Sequence, residues 1–260
     1  MNWRFAQRSA QRLNASRVQL WQAQHAVNRR LLSSAQGPAD QIPPNKARLA
    51  IMDLALTKVN EFGWSEQALA SAATDLGYSP MAHGSSKDTN AGSNSGLSLI
   101  THFMDRALDE TRIEADDQLH EFDSTTEKLR FLCRVRLRQT RPMLRHWPEA
   151  AAILSQPQNV SVAMSKLADL SSQLYYLAGD KSSRLDWYAK RSALAASYLA
   201  SELYMCEDRS PNFQATWSFL DRRIEDMASA EHTGLKAVAF TNQFSRNLFN
   251  ILASWGYIHR

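Results

Sequence analysis

Residues 210–227 read SPNFQATWSFLDRRIEDM, and this stretch decides the fold class. Ser followed by Pro is typical of a helix start, because the serine hydroxyl caps free backbone N–H groups and proline needs no hydrogen bond there. Apolar residues then recur at alternating steps of four and three, which places them on one helix face. The pattern predicts a long amphipathic helix beginning at Pro211, with an apolar face formed by Phe213, Trp217, Leu220, Ile224 and Met227.

The same helical periodicity extends over residues 46–232, and familiar helix signals interrupt it. Gly63 and Gly77 are each predicted to end a helix, Ser65 to cap the next one, and Pro142 to end or kink another. Strand-like alternation and repeats of fixed length are absent from the sequence. The sequence therefore predicts an all-α fold.

The first 35 residues have the composition of a mitochondrial transit peptide. Residues 1–40 hold six Arg and a single acid, Asp40. The remaining chain has 24 basic and 25 acidic residues, so the net charge of +4 belongs to the leader. A nucleic-acid-binding function based on charge loses its support. Residues 36–45, rich in Pro and Gly, are predicted to be a linker to a domain over residues 46–232.

Residues 233–260 are too apolar to lie free in water, and they carry a few basic groups. Such a composition suits an amphipathic helix lying in a membrane interface. Packing of the segment onto its own domain or onto a partner is an equally good interpretation. The predicted membrane-binding residues are Phe244, Leu248, Phe249, Ile251, Leu252 and Trp255.

Motifs that would indicate catalysis are missing from the sequence. Neither GxGxxG nor GxxxxGK[ST] occurs, and no Glu-x-x-His pair is available for a di-iron site. Asp117 and His120 form a single acidic pair on a charged segment, and His146 is interpreted as a helix-junction residue rather than a base. Cys133 and Cys206 lack metal-ligand spacing and are predicted to be reduced core thiols. We therefore predict no catalytic residue, no metal, no cofactor and no enzymatic activity.

A run of arginines offers two interpretations. It could bind phosphates of lipid or nucleic acid, or it could be a solvated face paired with acids, and the second interpretation is favoured because several of the arginines share one helix face. The run consists of Arg130, Arg134, Arg136, Arg138, Arg141 and Arg145.

Several short motifs resemble one family, the coenzyme Q biosynthesis accessory proteins encoded by the ninth of the coenzyme Q genes. The resemblance covers roughly residues 46–255 and is most specific between Trp187 and Arg223. The motifs are His146-Trp147-Pro148, Ala178-Gly179-Asp180, Trp187-Tyr188 with Arg191, Glu202-Leu203, Asp208 to Pro211, Thr216-Trp217 and Phe219-Leu220.

The resemblance implies a TetR-like helical bundle with a degenerate helix-turn-helix region, an apolar cavity for isoprenoid or quinone lipid, and peripheral attachment to the matrix side of the mitochondrial inner membrane. It also implies that the protein presents a lipid intermediate to the di-iron demethoxyubiquinone hydroxylase within the coenzyme Q synthesis complex. A homodimer through the last two domain helices is implied too, with predicted contacts from Phe213, Trp217, Leu220 and Ile224.

In the family, the surface that faces the hydroxylase includes residues corresponding to Trp187, Tyr188 and Arg191, together with the position of Leu174. Paired aromatics flanked by Arg are typical interface anchors. Ordinary burial at a helix start is the alternative. This chain departs from the family pattern on the preceding helix, where Ser172 replaces an acidic residue and Leu174 replaces a different large residue.

A ligand-sensing DNA-binding regulator of the TetR type is the competing function. Such a regulator needs a base-reading helix where this chain has the polar residues 82–96, and no basic face can be built from them. The accessory-protein interpretation is therefore preferred.

Overall fold

A computed structural model describes residues 44–82, 95–180 and 184–233, and the regular structure within these ranges is helical throughout. The prediction of an all-α fold is confirmed. The TetR-like arrangement and the domain boundaries stay predictions. The helices are α1 (Pro44–Phe62), α2 (Glu66–Asp75), α3 (Ser95–Asp116), α4 (Thr125–Thr140), α5 (Trp147–Ser155), α6 (Val160–Leu177), α7 (Arg184–Glu207) and α8 (Gln214–Thr233).

The ends of the first helices follow the predicted signals. Gly63 has a φ of 66° and donates its N–H to the Val59 carbonyl at 2.8 Å, which closes α1 in a left-handed turn. The Ser65 side chain accepts a hydrogen bond from the Ala68 N–H and caps α2. Gly77, with a φ of 78°, follows the end of α2. These three predictions are confirmed.

The prediction at Pro142 is also confirmed, because α4 ends at Thr140 and the chain continues as a 3₁₀ turn over Arg141–His146. At its other end α4 begins with a capping box, in which the Ser124 side chain accepts from the Glu127 N–H and the Glu127 side chain accepts from the Ser124 N–H.

The predicted start of the last helix at Pro211 is wrong by three residues. Pro211–Phe213 form a 3₁₀ turn, and α8 begins at Gln214. Ser210 still acts as a cap, since its Oγ accepts from the Ala215 N–H at 2.9 Å. Asp208 adds a second cap by accepting from both the N–H and the hydroxyl of Thr216. The turn forms because this carboxylate supplies partners that Ser210 alone cannot.

The helices pack around two apolar cores. The first core lies mainly among α1, α2, α3 and α5 and contains the rings of Trp64, Phe103 and Trp147. The Trp64 ring centroid lies 5.8 Å from that of Phe103 and 5.9 Å from that of Trp147, and the Phe103 and Trp147 centroids are 5.4 Å apart. The second core lies mainly among α4, α6, α7 and α8. Both α4 and α7 run along the boundary between the two cores, which determines where their polar side chains lie.

Candidate functional site

The start of α7 is held against the end of α6 by a glycine turn. Gly179 has a φ of 76° and donates its N–H to the Tyr176 carbonyl at 3.0 Å. The Asp180 N–H donates to the Tyr175 carbonyl at 3.1 Å, which completes a Schellman-type helix end. The last turn of α6 and the first turns of α7 therefore lie at the same end of the helix pair.

Arg191 organises this end from beneath the surface. Its side chain is only 9% exposed, and its guanidinium lies 4.1 Å from the Trp187 ring centroid and 5.1 Å from that of Tyr175. One nitrogen, Nη1, lies 3.4 Å from Asp180 Oδ2 and also donates to the Trp187 carbonyl at 3.3 Å. Arg191 thus links the backbone and ring of Trp187 to the turn between the two helices.

Above Arg191 lies an exposed aromatic patch, defined here as Trp187 and Tyr188, and Tyr176 on the last turn of α6 is also exposed. Tyr188 is 69% exposed, Tyr176 is 77% exposed, and Trp187 is partly covered by the arginine below it. The Trp187 and Tyr188 rings meet edge to face with centroids 4.7 Å apart. Two adjacent large aromatic side chains facing water at the start of α7 are a surface suited to contact with another molecule.

The structure brings the predicted partner residues together only in part. Trp187 and Tyr188 are on the surface, as a contact residue must be, whereas Arg191 lies underneath and supports them. Leu174 is fully buried in the second core, so it cannot touch a partner without movement of α6. The sequence pattern did not single out Tyr176, because periodicity alone does not tell which of two adjacent tyrosines turns outward.

The predicted dimer residues lie largely inside the chain. Leu220 and Ile224 are fully buried in the second core, and neither can line an interface with a second copy in this arrangement. Phe213 and Trp217 are partly buried against the same core. The heptad-like stripe of α8 is explained by packing within the chain. The homodimer itself stays a prediction.

Three members of the arginine run, Arg130, Arg134 and Arg138, pair with acids as the favoured interpretation predicts, although each is partly buried rather than fully solvated. Arg130 lies 3.3 Å from Asp221 and 3.0 Å from Glu225, and Arg134 also contacts Asp221. Arg138 lies 3.5 Å from Glu114. These ion pairs join α4 to α8 and α3, whereas Arg141 is exposed and its guanidinium lies 5.0 Å from the Phe213 ring centroid. Arg136 is different, because it is buried.

Asp117, His120, His146 and the two cysteines are the other residues that could take part in chemistry. Asp117 and His120 are exposed, and in the described ranges no three His, Cys, Asp or Glu side chains are grouped so that they could hold a metal ion. His146 lies at the junction before α5, where its Nδ1 is 3.4 Å from Glu149 Oε2, a carboxylate that was not predicted to accompany it. Cys133 and Cys206 are free thiols, as predicted, and burial raises the pKa of each to about 12.

The predicted membrane-binding residues, from Phe244 to Trp255, lie outside the described residues, as do the leader and most of the polar segment 82–96. Among the helices that are described, none combines the length and the apolar character required to cross a bilayer.

Fold and patch together define an all-helical protein with an exposed aromatic surface, held in place by a buried arginine, at the start of α7. Residues 160–231 match the COQ9 family model, and this segment contains the whole patch together with Arg191. The chain belongs to the COQ9 family. The resemblance expected from the sequence motifs is confirmed.

Three relatives illustrate the match. The chain is 30% identical over 207 residues to the probable ubiquinone biosynthesis protein coq9, mitochondrial, of Dictyostelium discoideum, which is 77% of this chain and 64% of that protein. It is 35% identical over 190 residues to the rat ubiquinone biosynthesis protein COQ9, mitochondrial. This match covers 70% of this chain and 59% of the rat protein. The human protein of the same name is 34% identical over 190 residues, which is 70% of this chain and 58% of the human protein. The chain spans about three fifths of the length of these curated relatives.

Proposed function

We propose that this protein is a mitochondrial accessory protein of ubiquinone biosynthesis that binds isoprenoid or quinone lipids and presents them to the di-iron demethoxyubiquinone hydroxylase. Family membership and the names of the relatives support the pathway and the compartment. In this proposal the reaction takes place in the hydroxylase, and this chain supplies no catalytic residue, metal or cofactor.

The aromatic patch is the observation that carries the proposal. Trp, Tyr and Arg are the residues that most often contribute large binding energies at interfaces. Covering an exposed ring stabilises a complex by ~25 cal/mol for each Å² of apolar surface removed from water. Arg191 holds Trp187 in position before a partner arrives, so less conformational entropy is lost on binding. The patch therefore suits docking of the hydroxylase.

Two further parts belong to the same proposal. Residues 233–260 bind the matrix face of the inner membrane, which keeps the protein where its lipids reside. The chain forms a homodimer through α7 and α8, and of the four predicted contact residues only Phe213 and Trp217 keep exposed surface for that purpose.

The test is to measure binding of the purified hydroxylase to chains carrying Trp187→Ala or Tyr188→Ala. Each change is expected to weaken binding at least tenfold, about 1.4 kcal/mol, because the variant lacks a ring that the complex would bury. Lipids that co-purify with each variant, identified by mass spectrometry, are expected to be unchanged, since both residues lie on the outer surface.

Tyr204→Ala is the matched control. Tyr204 is an exposed tyrosine on the same helix, 16 positions beyond Tyr188, and it stacks on Phe219 rather than on the patch. Its loss is expected to leave hydroxylase binding intact. Equal weakening by Tyr204→Ala and Tyr188→Ala, or full binding by both patch variants, would contradict the proposed docking role.

A further inference from the structure

Four polar side chains are buried at the boundary between the two cores. They are Arg136 and Thr140 of α4 and Tyr198 and Glu202 of α7, called the polar cluster below. Arg136 is 1% exposed and Glu202 is 5% exposed, so both members of this charged pair are almost entirely removed from water. Burying a charge is costly unless its hydrogen-bonding groups find partners. The stability of the cluster therefore depends on the groups that each member contacts.

Glu202 is well supplied with donors. Its Oε1 accepts from the Tyr198 hydroxyl at 3.0 Å and from the Thr140 hydroxyl at 3.2 Å. The Trp147 side chain donates to the same carboxyl group. Burial raises the pKa of Glu202, an effect that the nearby Arg136 charge and these hydrogen bonds oppose. As an acceptor, Glu202 is satisfied within the chain.

Arg136 has few hydrogen-bond acceptors around it compared with the number of donors around Glu202. A guanidinium has five N–H donors, and the described structure gives this one a single hydrogen bond, from Nη1 to the Thr140 hydroxyl at 3.2 Å. Its Nε is shielded from solvent and has no acceptor. The ring centroids of Phe103 and Tyr198 lie 5.6 and 6.0 Å from the guanidinium carbon. Arg136 thus combines unused donors with flat aromatic neighbours.

The unused donors and the aromatic neighbours of Arg136 favour one chemical class of ligand. The unused N–H groups need acceptor oxygens, and the aromatic side chains around them favour a flat ring. Arg136 and Glu202 together carry no net charge when both are ionised, so a phosphate or carboxylate head group bound to Arg136 would be repelled by the nearby Glu202 carboxylate. A neutral ring bearing carbonyl, hydroxyl or methoxy oxygens satisfies Arg136 without adding charge to the core.

We propose that the polar cluster binds the oxygenated aromatic ring of a quinone-type lipid, with Arg136 donating to ring oxygens and the prenyl chain left to the apolar side chains of the adjoining cores. The inference rests on the lipid-binding function proposed above and assigns the head-group site within it. Because the cluster is buried, α4 and α7 must separate locally to admit the ring.

The experiment uses the full chain and isothermal titration calorimetry with three probes. They are a benzoquinone carrying two isoprene units, geraniol, which has the same chain without the ring, and geranyl phosphate, which adds an anionic group to that chain. Arg136→Met is expected to weaken quinone binding at least tenfold and to leave geraniol binding unchanged. Arg134→Met is the matched control, since it makes the same substitution on the same helix at an arginine paired with Asp221 on the surface.

Folding of the variants is checked by thermal unfolding. Arg136→Met leaves Glu202 without its cation, and if that variant does not fold, the double variant Arg136→Met with Glu202→Gln replaces it, because both buried charges are then removed together. The double variant is expected to bind geraniol normally and the quinone at least tenfold more weakly than the unchanged chain.

Three outcomes would overturn the inference. They are unchanged quinone affinity in a folded Arg136 variant, equal weakening of quinone and geraniol binding, and selective loss of the anionic probe, geranyl phosphate, with quinone binding kept. In each of these cases the unchanged chain still binds a prenyl lipid, so the proposed function stands. If the unchanged chain binds neither the quinone nor geraniol, the proposed lipid-binding function fails together with the inference.

Discussion

Gly63 shows how a single residue fixes the junction between α1 and α2. Its φ of 66° belongs to the left-handed region, and a Cβ built there would lie 2.7 Å from Glu149 Oε2. The position therefore requires glycine for two reasons, backbone conformation and space. Glu149 ends in a flexible, half-exposed carboxylate, so the second reason is the weaker one.

Gly63→Ala is expected to lower the free energy of unfolding by about 1–2 kcal/mol, because a non-glycine residue is strained in this conformation. Urea unfolding monitored by circular dichroism measures the change. Gly77→Ala is the control, since Gly77 has a φ of 78° with no atom within 4 Å of its added Cβ. It reports the backbone cost alone. A Gly63→Ala variant as stable as the unchanged chain would refute this account.

At the scale of the element, the start of α8 depends on the ionised form of Asp208. Slight desolvation raises the pKa of this carboxyl group, but hydrogen bonds from Ser210 and Thr216 outweigh it and lower the pKa from 3.8 to about 2. A pKa lowered by folding means that the carboxylate stabilises the native state above pH 3.8, and that this contribution is lost as the pH falls towards 2.

Asp208→Asn is expected to lower the melting temperature at pH 5 and to have a much smaller effect at pH 2, where about half of the Asp208 carboxyl groups of the unchanged chain are protonated. Melting temperatures of both chains across this range provide the measurement. Asp123→Asn serves as a control for loss of an exposed carboxylate. A difference between Asp208→Asn and the unchanged chain that is constant with pH would show that the charge is not involved.

The same element shows what the sequence can and cannot predict. Gly63, Ser65, Gly77 and Pro142 act through their own backbone or side chain, so their effects on helix ends were predictable. The stripe through Leu220 and Ile224 was visible too, but periodicity does not say whether a stripe packs inside its own chain or against a second one. The capping role of Asp208 went unpredicted because it depends on a turn with Asn212 and Phe213 at positive φ.

Arg136 shows the same limit for the buried site. In the sequence it lies within a run of arginines, and Arg134 and Arg138 on either side of it are paired with surface acids. Its spacing from Leu132 and Cys133 places it on the apolar side of α4, and that was the available signal. Its neighbours on α7 come from some 60 residues further along the chain, and no local pattern identifies them.

On the scale of the whole molecule, the described helices form a body in which charge is largely internally paired. The basic face of α4 is matched by acids on α3 and α8, and the leader accounts for the excess of Arg in the sequence. Residues 233–260 are the segment predicted to supply the apolar side chains that bind a membrane.

Deletion of residues 234–260 is expected to abolish co-sedimentation with phospholipid vesicles, because the predicted apolar face of that segment is removed. The deletion leaves α1 to α8 complete, so the melting temperature of the domain should change little. Trp187→Ala in the full chain is the control and should bind vesicles normally. Undiminished sedimentation of the truncated chain would transfer the membrane-binding role to another surface.

Arg191 has two roles that cannot be changed independently. Its guanidinium lies between Tyr175 of the second core and Trp187 of the aromatic patch. A missense change there would reduce the amount of folded protein in a cell and would also weaken partner binding by each molecule that does fold. Raising expression compensates for the first defect only, so the gene dosage that rescues an ordinary destabilising mutation would rescue this one incompletely.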